Sequence, residues 1–391
     1  MYSILEIVFW LCAFCIFHTY VLFPIILRLL AKNKKNNTNT YQKDSELPRV
    51  SILLAVFNEE SVIEKKLEST FKTNYPADLF DVYIGSDNST DKTDEIISEY
   101  CKKHKNLHLY SFKERRGKPG IINDLHKIAS GEVLILTDAN VYFNENTIFE
   151  LVKHYKNPEI GLVGGLIENT NIKKSGISYQ EKTYLSGENN IKYNEGVLWG
   201  CMIGAFGGVY SIKKSEYEDV PKKYFVDDFY ITMRVLESGK KAIVEPAATA
   251  LEDVSNVIGE EFKRKVRISS GNFQNLSRFW KISLNPFSGK GFSFISHKIL
   301  RWKTTFFIII CLVISAVLFS KDVLYSYLFF CQIGLLLLPI VDLILKSIRI
   351  NNTALRFVTH FVTMNAALLI GFFKYIKGIE SNVWQPTKRN Q

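Results

Sequence analysis

Oxygen-bearing and cationic side chains are concentrated in a few short segments of this 391-residue chain. Asp138-Ala139-Asn140 follows the apolar run Leu134-Ile135-Leu136-Thr137. Oxygens at i and i+2 on an extended segment can converge, together with a nucleotide diphosphate, on a hard divalent ion, Mg²⁺ or Mn²⁺. A helix cap is the alternative for Asp138. Asp227 and Asp228 stand side by side, and neighbours in sequence do not share a helix face. One of them can therefore face a site while the other caps or positions the helix that follows, and the exposed one is a candidate general base for activating a hydroxyl. A cap alone would also account for the pair. Lys118, held in Gly117-Lys118-Pro119-Gly120, can neutralise a diphosphate or a carboxylate, with Asn123 as a polar ligand on the ensuing helix. A solvated charged loop is the plainer reading.

Two further segments are built to accept hydrogen bonds. Asn58-Glu59-Glu60 and the run Ser86-Asp87-Asn88-Ser89-Thr90-Asp91-Lys92-Thr93 each follow an apolar stretch and precede a helical one. A single cap needs one such residue, whereas the second segment holds many. Carboxylates there, Asp87 among them, can accept from a nucleobase amide or ribose hydroxyls. No G-x-G-x-x-G or Walker glycine loop occurs at these turns, which argues against a dinucleotide enzyme or an ATPase. Residues 195–210 combine several glycines with Trp199, Phe206 and Tyr210. Glycine density of this kind answers a close backbone approach, and Trp199 either stacks on a sugar ring or packs in the core. Arg264 and Arg267, in Lys263-Arg264-Lys265-Val266-Arg267, face anionic lipid or clamp a pyrophosphate leaving group near an acceptor path.

These residues need elements to position them. Val50–Phe57, Asp81–Gly85, Leu107–Phe112 and Glu132–Thr137 are short β-rich runs separated by helical stretches such as Glu60–Phe71 and Lys92–His104. That alternation predicts an α/β fold with a parallel sheet. Ligands of such sheets bind beyond the carboxyl ends of the strands, where Asn58, Asp87 and Asp138 lie.

The rest of the chain is sorted by solvent. Ile7–Leu27 carries no ionised side chain if His18 is neutral, and is long enough to cross a hydrocarbon core of about 30 Å. Thr304–Ser320, Val323–Leu345 and Thr353–Phe373 are three more apolar stretches, the last interrupted by Arg356 and His360. Arg28, Lys32, Lys34 and Lys35 follow the first span with nothing basic before it, so the positive-inside rule places residues 31–303 in the cytoplasm. Lys298, Arg301, Lys303, Lys346 and Arg349 fit that orientation. A fourth crossing would export Lys374, Lys377, Lys388 and Arg389 against the rule, and hydropathy does not say whether Thr353–Phe373 crosses. The boundaries expected are a transmembrane helix at 1–30, a polar linker at 31–47, a catalytic domain at 48–289, an interfacial amphipathic helix at 290–303, a transmembrane region at 304–376 and a tail at 377–391. With 49 Lys+Arg against 39 Asp+Glu the net charge is +10. It reads as attraction to anionic lipid, since no nucleic-acid-binding pattern accompanies it. The six cysteines imply neither a disulfide framework nor a zinc site.

Taken in order between an N-terminal and several C-terminal spans, AVFNEE at 55–60, SDNSTDKT at 86–93, GKPGIIN at 117–123, TDAN at 137–140, VDD at 226–228 and RKVRISSGNFQ at 264–274 resemble the membrane-bound family 2 glycosyltransferases. That group includes the cellulose, chitin, hyaluronan and poly-N-acetylglucosamine synthases. The resemblance implies a GT-A type nucleotide-sugar-binding domain with one N-terminal and two to three C-terminal transmembrane helices. It implies that Asn58, Glu59, Asp87, Lys118 and Asp138 contact the nucleotide sugar and that Asp138 and Asn140 hold the metal. Asp228 would be the catalytic base, with Asp227 in the place of a glutamate. The activity implied is inverting transfer from a nucleoside-diphosphate sugar, expected to be UDP-linked, to a glycan or lipid-linked acceptor at the plasma membrane. Asn140 departs from the acidic residue of the family pattern. The family's Q-x-x-R-W reads Arg264-Lys265-Val266-Arg267-Ile268, without the Gln and Trp of the synthases' acceptor site, so the departures remove support for polymerisation while transfer of one sugar stays compatible. Few spans for an export channel point to a partner or an oligomer. A non-catalytic scaffold of a glycan-assembly complex and a membrane transporter are the alternatives; sugar turnover by membranes excludes the first, and nucleotide-sugar binding by residues 31–303 excludes the second.

Overall fold

The computed structural model describes residues 2–170, 178–253 and 258–379. Eight strands form one sheet: β1 (Val50–Val56), β2 (Phe80–Asp87), β3 (Leu107–Phe112), β4 (Val133–Thr137), β5 (Val141–Phe143), β6 (Ile160–Thr170), β7 (Val209–Lys213) and β8 (Lys241–Asp253), in the order β3-β2-β1-β4-β7-β6-β8-β5. The first four are parallel. β7 runs antiparallel to both β4 and β6, and β8 is parallel to β6. The parallel half is the part the β-rich runs announced, because strands covered on both faces read as continuous apolar runs. Every residue of β1 is buried. Ile52 and Leu54 enter one core and Leu53 and Ala55 the other, as the period of two requires.

Helices cover both faces. They are α1 (Ser3–Ala31), α2 (Ile63–Phe71), α3 (Thr93–Lys103), α4 (Gly117–Ile128), α5 (Thr147–Val152), α6 (Ser178–Trp199), α7 (Asp227–Glu237) and α8 (Ile258–Phe279). Next come α9 (Gly289–Trp302) and α10 (Thr304–Val317), which meet at 58°, then α11 (Val323–Ser347) and α12 (Thr353–Lys377). α1, α11 and α12 are long and apolar enough to cross a membrane, and α9 with α10 make a fourth candidate if the bent pair counts as one. Within α1 the Phe23 N–H bonds to the His18 carbonyl, a π turn just ahead of Pro24. Proline lacks the N–H for the carbonyl four residues back and collides with it, and the wider turn relieves both problems.

Two segments differ from the sequence reading in character. Residues 31–47 connect α1 to β1 but lie along the domain, with Asn36 Nδ2 donating to the Val244 carbonyl at 2.8 Å and Asn37 Nδ2 to His154 Nδ1 at 3.1 Å. The stretch 290–303, expected at a lipid surface, becomes α9, whose Phe294, Ser296, His297 and Trp302 are buried. The reason is an ionic cluster. Glu188 of α6 accepts from His297 Nε2 at 3.0 Å, from Arg301 Nη1 at 2.6 Å and from Lys298, while His297 Nδ1 meets Glu195 at 2.9 Å. Of the charged tail, Lys388 and Arg389 lie outside the described residues.

Removing one member of a buried ionic cluster strands its partners and costs about 3–5 kcal/mol, whereas an exposed pair contributes about 0–1 kcal/mol. Glu188→Ala is therefore expected to lower the unfolding midpoint in detergent markedly. Glu237→Ala, which breaks the exposed Arg278 contact, serves as the near-neutral control.

Candidate active site

The carboxyl ends of β1 and β4 open on one cavity of about 390 Å³, lined by Glu59, Asp138 and Asn140 and not by Asn58 or Asp87. Backbone turns behind its near wall consume several of the polar residues. Asn58 adopts a left-handed conformation with φ +50; its Oδ1 accepts from the Thr90 N–H at 2.8 Å, tying the loop after β1 to the loop after β2. The Glu59 N–H donates to Thr93 Oγ1 at 2.8 Å, and Glu59 lines the cavity. Asp87 is fully buried. Its carboxylate accepts from the N–H groups of Arg116 at 2.6 Å and Gly117 at 3.1 Å and from Arg115 Nε at 3.0 Å. It thereby satisfies donors at the start of α4 that the helix itself cannot. Asn123 is spent as well, accepting from Tyr217 Oη and the Val220 N–H and donating to the Val220 carbonyl.

The turn that Asp87 holds delivers Lys118 to the centre. Lys118 Nζ donates to Asp138 Oδ1 at 2.6 Å and lies 3.9 Å from Asp227 Oδ2. Burial lowers the affinity of this ammonium for its proton, but Asp138, Asp227 and Asp228 overcome that and raise its pKa. Asp228 is the second residue of α7 and accepts from the Phe229 N–H at 2.7 Å. Burial and the adjacent Asp227 charge push its pKa up to about 6, against the pull of Lys118 and Lys192. The glycine-rich loop is packed on this carboxylate: a Cβ at Gly207 would stand 2.9 Å from Asp228 Oδ2, and Gly204 has φ +85 with the Phe229 ring where a Cβ would be. Gly204 is thus required twice over, by space and by conformation.

Asp138 and Asn140 both reach the cavity. Asn140 Nδ2 donates to Glu252 Oε1 at 2.9 Å, which leaves its carbonyl oxygen as the remaining donor. Among the described residues no group of three or more His, Cys, Asp and Glu is arranged to hold a metal. Two hard oxygen donors suit a divalent ion only if a diphosphate completes the shell. The segment that carries them is clamped from below by Lys66, a residue the sequence reading missed. Lys66 Nζ donates to Thr137 Oγ1 at 2.8 Å and to the Val141 carbonyl at 2.6 Å, and sits 3.7 Å from the centre of the Phe143 ring. Its signal was present in the helical period: Ile63, Lys66, Leu67 and Thr70 are all buried, the i, i+3, i+4, i+7 face of a helix.

α6, α8 and α9 make the far wall. Lys265 pairs with Glu181 at 2.8 Å and Arg264 with Glu261 at 3.3 Å. Arg267 lines the same cavity without a carboxylate partner among the described residues; burial and the nearby Arg264 charge lower its pKa. Lys192, also missed, is buried with its ammonium 3.5 Å from the Phe206 ring centre, and burial followed by the Lys298 charge brings its pKa down to about 8. Trp199 is not part of the cavity. It packs on Phe292, and a Cβ at Gly289 would strike its ring. The tryptophan that does line the cavity is Trp302, edge-on to Phe229 at 5.4 Å.

Lys66→Met keeps the bulk of the clamp and removes its donors. Leaving buried acceptors unpaired costs about 1–3 kcal/mol, and thermal unfolding of the solubilised protein is the measurement, with Lys65→Met, whose parent residue is exposed, as reference.

Residues 51–211 match the profile described as glycosyl transferase family 2. The poly-beta-1,6-N-acetyl-D-glucosamine synthase of Staphylococcus epidermidis is 28% identical over 71% of this chain and 68% of its own length. The dolichyl N-acetyl-alpha-D-glucosaminyl phosphate 3-beta-D-2,3-diacetamido-2,3-dideoxy-beta-D-glucuronosyltransferase of Methanococcus voltae is 29% identical over 50% of this chain and 64% of its own. In three dimensions, the mannosyltransferase PcManGT from Pyrobaculum calidifontis, solved with GDP-Man and Mn²⁺, superposes with a TM-score of 0.74 at 19% identity, over 95% of this chain and 99% of that one. Residues 51–211 therefore form a glycosyl transferase family 2 domain, and the fold is of the GT-A type.

Proposed function

We propose that this membrane protein transfers a sugar, with inversion, from a nucleoside-diphosphate sugar to a membrane-associated glycan or lipid-linked acceptor, its catalytic domain lying on the cytoplasmic side of the plasma membrane. The observation that carries the reading is Asp228: a carboxylate at the head of α7, facing the cavity, with a pKa raised to about 6 beside Lys118 and Asp227. A base of that strength is mostly ionised near neutral pH and still able to take a proton from an acceptor hydroxyl. Arg267, with no carboxylate partner among the described residues, is suited to the charge that grows on a departing diphosphate. Lys118 can exchange its carboxylate partners for the same group.

Asp138 and Asn140 are the residues that would hold a divalent cation, whose chemistry when bound is to neutralise the diphosphate. Lys118, bonded to Asp138, supplies positive charge at the same place. Asn58, Glu59 and Asp87 belong to the nucleotide end, where Asp87 acts by shaping the turn of Arg115–Gly117. The acceptor end lies toward α8 and α9, whose Trp302 stands edge-on to Phe229 of Asp228's helix at 5.4 Å. Because α9 continues into the membrane region through α10, an acceptor anchored in lipid can reach the cavity. The relatives, a poly-beta-1,6-N-acetyl-D-glucosamine synthase and a glycosyltransferase whose name gives a dolichyl-linked substrate, are consistent with that.

Membranes carrying the protein, given a panel of radiolabelled nucleotide sugars with Mn²⁺ or Mg²⁺, should label one acceptor class. Asp228→Asn is expected to lower kcat by about 100- to 10,000-fold with nucleotide binding retained; undiminished transfer by the purified variant would sink the assignment. The acid limb of kcat/KM should fall near pH 6, since the base must be ionised. Asp227→Asn removes the neighbouring negative charge and should move that limb to lower pH. Asp138→Ala should abolish the Mn²⁺ dependence of nucleotide affinity measured by calorimetry, and a wild-type affinity that is the same with and without Mn²⁺ would count against its role.

A further inference from the structure

We propose that α12, although long and apolar enough to cross, does not span the membrane, and lies instead as an interfacial helix with both ends on the side of the catalytic domain. α1, α11 and the bent pair of α9 with α10 are then the crossings. The inference is independent of the reaction assigned to the cavity.

The contacts of α12 decide its direction. Near its start Phe357 meets Tyr179 edge-on at 6.1 Å, and His360 Nε2 reaches Glu181 at 3.2 Å, both on α6. Farther on, Ser269 Oγ of α8 donates to the Leu368 carbonyl at 2.9 Å, and a Cβ at Gly371 would stand 2.4 Å from Ser269. Near its end Phe372 and Tyr375 pack on Phe273 at 5.0 and 6.3 Å. The helix advances about 27 Å between Phe357 and Tyr375, and it is still on the same domain when it arrives. α8 in turn is fastened to the domain along its own length. Arg264, Arg267 and Asn272 line the cavity, Asn275 Nδ2 donates to the Val226 carbonyl at 3.3 Å, and Arg278 pairs with Glu237 at 3.1 Å. A helix this charged and this deeply tied to the cavity cannot enter hydrocarbon, and α12 runs beside it.

α1, α10 and α11 form a bundle that α12 meets at its domain-side end, where Arg356 Nε donates to Asp342 of α11 at 2.9 Å and Thr305 Oγ1 of α10 to the Asn365 carbonyl at 2.8 Å. Glu6 of α1 pairs with Lys321, just past α10, at 2.6 Å, and Phe9 meets Tyr325 of α11 at 5.5 Å. These residues mark the end away from the domain. At the opposite end His18 of α1 bonds to Ser296 Oγ at 2.9 Å. Gln332 of α11 donates to Ser315 Oγ of α10 at 3.0 Å midway. The exposed face of the second half of α12 carries Ile370, Phe373 and Ile376, while His360, Asn365 and Gly371 are buried. An apolar outer face with exposed Lys374 and Lys377 at the end fits the headgroup and upper acyl region of an anionic leaflet. Three crossings also put Lys346, Arg349, Lys374 and Lys377 on one side, which removes the conflict with the positive-inside rule.

The test uses the full-length chain in sealed vesicles of known orientation, tagged with a membrane-impermeant maleimide and read by peptide mass spectrometry. Lys102→Cys reports the domain side and Ser320→Cys the far side; both parent residues are exposed. Lys377→Cys is expected to tag with Lys102→Cys and not with Ser320→Cys. Tagging with Ser320→Cys, or from both faces, overturns the proposal. Spin labels at Ala366 and Phe373, which share the exposed face, give a second reading: equal depth is expected, and a difference near the roughly 10 Å that separates them along a spanning helix also overturns it.

Discussion

One ammonium among three carboxylates organises the catalytic domain. Asp138 comes from the end of β4, Asp227 and Asp228 from the head of α7, and Lys118 from the first turn of α4. Like charges that close in a partly desolvated cavity cannot all stay ionised without compensation. Lys118 compensates Asp138 and Asp227 directly, and Asp228 takes the residual strain as a raised pKa. The placement of Lys118 depends on Asp87, which holds the turn before α4 through two backbone N–H groups. The placement of Asp138 depends on Lys66, which donates to the Thr137 hydroxyl before it and to the Val141 carbonyl after it. Substrate chemistry at this edge thus rests on charges that fix one another.

A second ionic cluster joins that domain to the bilayer. Glu188 and Glu195 of α6 meet His297, Lys298 and Arg301 of α9, and α6 also contributes Lys192 and Glu181 to the cavity wall. The helix that anchors the membrane region is therefore the helix that lines the site. A buried arrangement of this kind tolerates little displacement, because a shifted partner leaves an unpaired charge. The cavity and the membrane helices are held in one register as a result.

Much of the parallel half of the sheet was legible. The runs at 50–57, 107–112 and 132–137 became β1, β3 and β4 within a residue, since strands buried on both faces advertise themselves by unbroken apolar sequence. β6, β7 and β8 were not foreseen: glycines interrupt Ile160–Thr170, and Lys241–Asp253 mixes charged with apolar residues. Lys66 was hidden inside Glu64-Lys65-Lys66, a run that looks solvated until the helical period is counted. Trp199 and Trp302 show the limit from the other side. Both occur in aromatic, glycine-rich surroundings, and only packing against Phe292 or Phe229 separates the one in the core from the one at the cavity.

By itself the sequence determined which residues carry oxygen and charge at strand ends, which stretches are apolar enough for lipid, and the order of both along the chain. Those are local properties, readable from residue type and spacing. Tertiary structure decided that Asp87 serves the backbone of α4, that Arg267 reaches the cavity without a carboxylate beside it, and that α12 lies along α8. Each of these depends on a partner far away in sequence, and hydropathy, which counts a residue's own preference for lipid, contains no information about which neighbour has already claimed its face.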